Sequence, residues 1–175
     1  RQWLIMAAKE QGIMPTTEGG LMFKYNLTMA LDGYPGQEHS IPVYPLHEDA
    51  VRLYAESGIY YTPTLLVSYG GPFGENYWFA KEPPHDDPKL ARFTPHEELD
   101  AKARRRNDGW FMDEEYVFEE HAIGLKDIVE RGGKVGVGSH GQLQGLGYHW
   151  ELWMVQGGRM SNHDALRCAT IFGAE

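Results

Sequence analysis

Three residues in this sequence have the type and placement to hold a metal ion: Glu18, His39 and His140. Glu18 stands before Gly19 and Gly20 in "IMPTTEGG", His39 follows Glu38 in "GQEHS", and His140 is flanked by Gly138 and Gly141 in "KVGVGSHGQ". Each comes at the end of a short run that reads as a β-strand. In folds built on parallel strands, ligands gather at the carboxyl ends of the strands, so these are three places from which side chains can meet. One carboxylate and two imidazoles suit a divalent cation, zinc first among the candidates, and zinc can bring the pKa of a bound water to ~7. Imidazole also titrates near neutrality, so His140 is a candidate for proton transfer as well as ligation. Spacing alone does not show that the three converge, and each histidine taken singly also fits a packed or solvent-facing role.

Other reactive side chains carry less. His149 and Glu151 fall one turn past the glycine run, at the start of a helix; His149 either packs there or joins the site, and Glu151 is expected to support a neighbour rather than react. His47, His85, His96, His121 and His163 lie in helices or polar loops and are assigned no chemistry. Cys168 is the only cysteine, which excludes an intrachain disulfide and a cysteine-based metal cluster. Its place in "DALRCATIFG" reads as buried helix, favouring packing over a reactive thiol. The run Arg104, Arg105, Arg106 reads as a solvated helix face rather than an anion site. Asn26-Leu27-Thr28 matches a glycosylation sequon, a pattern too common to use. No Walker loop, GxSxG or HExxH occurs, and "GKVGVGSHG" lacks the spacing into a helix that a dinucleotide fingerprint needs.

The elements that must position these residues follow from periodicity and punctuation. A helix over 1–11 stops at Gly12, a short extended run leads to Glu18, and a polar irregular stretch precedes the second strand at "GQEHS". "HEDAVRLYAESG" reads as a helix, and "IYYTPTLLVSYGG" as the strongest strand, with Pro63 marking a kink or edge. Residues 70–93 read as a long loop whose Phe73, Tyr77, Trp78 and Phe79 argue for ordered packing. Two helices then lead to the strand "KVGVGS", and two more close the chain, the last capped by Ser161. Alternation of short strands with helices indicates an α/β fold with a parallel sheet.

Composition narrows the partners. Sixteen basic against 25 acidic residues give a formal charge of −9, which disfavours nucleic acid and anionic membrane surfaces. Small molecules fit better, and no apolar stretch approaches a membrane span, so a soluble chain is expected. With 175 residues, 42% of them apolar, one real core can be buried. The chain opens within a helical pattern and stops just after one, so a piece of a longer polypeptide is expected. No targeting segment can be read, and the compartment stays open.

Taken together, "GQEHSIP", "GIYYTPTLLVS", "GGKVGVGSHG" and "YHWELWMVQGGRMSNHDALRCATIFGA" resemble the second half of an amidohydrolase-superfamily barrel of the imidazolonepropionase and prolidase-like branch. The nearest resemblance is to amidohydrolases fused to a β-propeller. That resemblance implies a partial TIM-type (β/α)8 barrel, roughly strands five to eight with their helices, over residues 1–175. It implies a metal-dependent hydrolase of amide-type C–N bonds in non-peptide or small peptide-like molecules, using one or two metals, commonly zinc. His39 matches the family's metal-binding histidine on strand six. Glu18 occupies the place of the strand-five histidine, and His140 that of the strand-eight aspartate, which is both ligand and proton acceptor. These two departures also leave room for a non-catalytic small-molecule-binding module on the same scaffold. Four strands alone leave two edges and an apolar interior open, so a homo-oligomer or a missing barrel half is expected to cover them.

Overall fold

The computed structural model describes residues 1–104 and 111–175. Four short strands form one sheet in the order β1-β2-β3-β4, parallel throughout: β1 Thr16–Glu18, β2 Gly36–Glu38, β3 Tyr60–Thr62 and β4 Lys134–Val135. Thr17, Gln37, Tyr61 and Val135 stand in one register row, and Glu18, Glu38 and Thr62 in the next. The helices are α1 Gln2–Glu10, α2 Phe23–Asp32, α3 Glu48–Glu56, α4 Gly74–Lys81, α5 Pro88–Phe93, α6 His96–Arg104, α7 Phe118–Glu130, α8 Leu146–Gly157, α9 Asn162–Cys168 and α10 Ile171–Ala174. Strand order equal to chain order, with helices in every connection, is the arrangement of part of a parallel barrel, here open rather than closed.

The two faces of the sheet differ. Gln37, Tyr61 and Val135 are buried, and Tyr54 of α3 backs that row with its hydroxyl on Gln37 Oε1 at 2.8 Å. By the two-residue alternation of strands, Thr16, Glu18, Glu38, Tyr60 and Lys134 belong to the other face, where burial is incomplete. The expected apolar interior is thus corrected: the incompletely covered face is largely polar, because charged and hydroxyl side chains alternate onto it. The apolar core lies between sheet and helices, built by Val51 and Tyr54, Leu125 and Ile128, and Trp150, Met154 and Val155.

Several expected boundaries are corrected. The irregular stretch before β2 contains α2, whose Asn26, Met29 and Ala30 are buried and which Gly33 ends in a left-handed cap at φ 90°. The long strand expected after Gly58 lasts three residues; Thr64 turns left-handed at φ 53° and Leu65–Val67 form a 3-10 turn. Residues 70–93 are not a loop, since they hold α4, a 3-10 turn at Pro84–Asp86, and α5. Asp87 caps α5 by accepting from the backbone N–H groups of Lys89 and Leu90, with Pro88 in the first turn. β4 is two residues long, and the closing helix breaks into α9 and α10. The Ser161 cap is present, its Oγ accepting from the Asp164 N–H at 3.0 Å. Of the basic run, Arg105 and Arg106 lie outside the described residues, and only the backbone position of Arg104, at the end of α6, falls within them.

Candidate metal site at the strand ends

His39 is the centre of the region that the strand ends share. It follows β2 directly, is 8% exposed, and has φ 71°, a left-handed conformation that breaks the strand's alternation and re-aims the side chain. His140, beyond β4, is also left-handed at φ 57°. Two histidines held in this sparsely populated region beside each other are a concentration of backbone strain of the kind found at functional sites. Glu18 ends β1 with its side chain 78% exposed, and its Oε1 lies 3.5 Å from His39 Nε2. The His39 and His140 rings are 5.2 Å apart between centroids. The structure therefore brings Glu18 and His140 each beside one buried imidazole.

The surroundings explain these positions. Gly19 donates its N–H to Glu38 O at 2.7 Å, tying the end of β1 to β2. Asn26 of α2 clasps Gly20, accepting from its N–H and donating to its carbonyl, both at 2.8 Å. Asn26, the first residue of the sequon, is fully buried with both ends of its amide engaged by Gly20. Beyond β3, the backbone N–H of Tyr69 donates to Ser40 Oγ at 2.8 Å, and the Tyr69 ring lies 5.7 Å from that of His39. His121 of α7 contacts Tyr69 O through Nε2 at 2.8 Å. Burial holds the His121 pKa below its ordinary value.

The glycines around β4 have two separate physical causes. A Cβ at Gly138 would lie 2.5 Å from Thr62 Cγ2, so this glycine is required by side-chain packing across the sheet. Gly141 meets nothing within 4 Å and is set instead by its left-handed φ of 68°.

Glu151 behaves as a support. It is fully buried on α8 and accepts from the backbone N–H groups of Leu65 at 2.6 Å and Leu66 at 2.9 Å, fixing the turn that follows β3. Burial pushes its carboxyl up to about 8, against the two N–H bonds, which pull it down. His149 is exposed and packs beside Tyr148 and Trp153. Cys168 is buried near Met160, and burial raises its thiol to about 12, in keeping with packing. The aromatic residues of α4 are engaged with α8 and with the start of α7: Trp78 stacks on Trp150 at 6.0 Å, and Tyr77 meets Phe118 and, just before α7, Tyr116.

The donor set suits a divalent cation in part. Ligands of a tetrahedral ion with bonds of ~2.0–2.1 Å stand ~3.3–3.4 Å apart, close to the Glu18–His39 separation. His39 Nδ1 is buried with no hydrogen-bond partner, so the ring is not committed through its other nitrogen. The donors of Glu18, His39 and His140 are nevertheless not mutually within 4.8 Å; among the described residues, three donors meet that limit at His85, His96 and Asp100, the two histidines being ones assigned no chemistry from sequence.

No protein-family model matches the chain, and no curated protein matches it. A solved structure, described only as that of an uncharacterized protein, superimposes with a TM-score of 0.56 at 20% identity, over 99% of this chain and 35% of that one. The chain thus spans about a third of the length of the structure it matches, and the likeness is one of fold.

Proposed function

We propose that this chain is the carboxyl-terminal barrel portion of a metal-dependent hydrolase acting on amide-type C–N bonds in small molecules, and that Glu18, His39 and His140 are its metal-binding edge. The observation that carries the reading is the meeting of three parallel-strand ends around one buried histidine. The order of four parallel strands and the sequence resemblance to strands five to eight of an amidohydrolase barrel support it. When bound, a divalent ion, zinc by preference of the donor set, would supply Lewis acidity and acidify a water. His39, held by burial, and Glu18, beside its Nε2, are the ligands this chain offers. His140, exposed at the rim, is placed to take up a proton from the reacting water as well as to ligate. The substrate and the barrel remainder, or a second copy of the chain, are the partners this reading requires.

A second reading is favoured by the incomplete convergence of the three donors: a module on the same scaffold that binds a small molecule without catalysis. Elemental analysis of chelator-free protein after dialysis with zinc separates the two. The hydrolase reading expects His39→Ala and His140→Ala each to lose one zinc equivalent per chain relative to the parent, with affinity at the site weakened at least ~10-fold. Unchanged zinc content in both variants overturns the metal reading and leaves the binding module.

A further inference from the structure

His85, His96 and Asp100 lie far along the chain from the strand-end residues and were given no part in the site above. His85 belongs to the 3-10 turn before α5, and His96 and Asp100 stand one turn apart on α6, so two separate elements aim their side chains at one point. His85 Nε2 is 3.2 Å and His96 Nε2 3.7 Å from the same oxygen, Asp100 Oδ1, and the two rings are 5.6 Å apart. One donor atom from each of the three falls within 4.8 Å of the others. The separations bracket the ~3.3–3.4 Å edge of a tetrahedron around an ion with ~2.0–2.1 Å bonds. Two imidazoles and one carboxylate are also the donor class that late first-row divalent ions prefer over calcium or magnesium. The group opens to solvent, with the His96 side chain 82% exposed, so an ion can enter and water can complete its coordination.

We infer that His85, His96 and Asp100 form a second metal site, one that takes a zinc-class divalent ion and ties the turn before α5 to α6. This site does not depend on the strand-end residues. Its position, joining a short turn to a helix, makes it a structural clip between the two segments.

The test uses the full chain with His39→Ala and His140→Ala together, so that the strand-end site is absent, and the same chain with His96→Ala or Asp100→Asn added. Equilibrium dialysis against zinc is expected to give about one ion per chain in the first and at least ~10-fold weaker binding in the other two. Unchanged circular dichroism checks that the surface substitutions leave the fold intact. Equal zinc binding in all three proteins overturns the inference, as does absence of binding at micromolar zinc in the first.

Discussion

Glu151 shows how a single side chain can be both buried acid and structural support. Its folded-state pKa, about 8, lies above the ordinary 4.5, so between those values the folded chain binds the proton more tightly than the unfolded chain. Stability from this group is therefore greatest below pH 4.5, falls as pH rises through the interval, and levels off above about 8. Glu151→Gln keeps one acceptor but sets an amide N–H against a backbone N–H, and is expected to cost about 1–3 kcal/mol. Urea unfolding midpoints measured over a pH series check both statements. The parent's decline between mild acid and mild base should vanish in the variant, and a parallel decline in both would refute the assignment.

At the level of elements, the contact between α7 and α8 is set by a missing side chain. A Cβ at Gly158, which caps α8, would fall 2.2 Å from the carbonyl carbon of Ala122 and 2.3 Å from its oxygen. Backbone cannot move aside as a flexible side chain can, so Gly158→Ala must separate the helices or unwind the cap. The expected cost is on the order of 1–3 kcal/mol, at the upper end of that range. For a chain of this size that lowers Tm by roughly 5–10 °C. Thermal unfolding followed by circular dichroism reads this directly, and an unshifted Tm would show that the α7–α8 crossing is looser than its geometry. Because α8 also carries Glu151, the same variant should loosen the turn after β3.

For the molecule as a whole, the question is what covers the open sheet. Among the described residues, β1 and β4 each have an unpaired edge, and Trp3, Ile13, Met14, Leu21, Met22 and Leu31, on the segments that flank β1 in the chain, are exposed, Trp3 to 88%. Exposed apolar side chains in that number beside an open edge favour association. Sizing with light scattering at micromolar concentration is expected to show a dimer or larger species for this chain alone, and a clean monomer would contradict it. Among the described residues, no helix is long and apolar enough to cross a membrane.

The sequence by itself determined the alternation of strands and helices, the parallel class, the strand-end placement of Glu18, His39 and His140, the Ser161 cap and the supporting part of Glu151. These follow from local signals: periodicity, glycine punctuation, capping chemistry and position relative to a strand. Tertiary structure alone decided the rest. α2 and α4 carry no side-chain cap, and their stability comes from burying Met29 against the core and stacking Trp78 on Trp150, contacts with partners distant in the chain. α5 does carry a local signal, the Asp87 cap and Pro88 in its first turn, inside a glycine- and proline-rich stretch whose composition suggests a loop. The meeting of His85 with His96 and Asp100 depends on how α5 folds back between them, and the need for glycine at 138 depends on Thr62 across the sheet. Neither is legible from spacing, because both are set by distances through space between residues that sequence patterns treat separately.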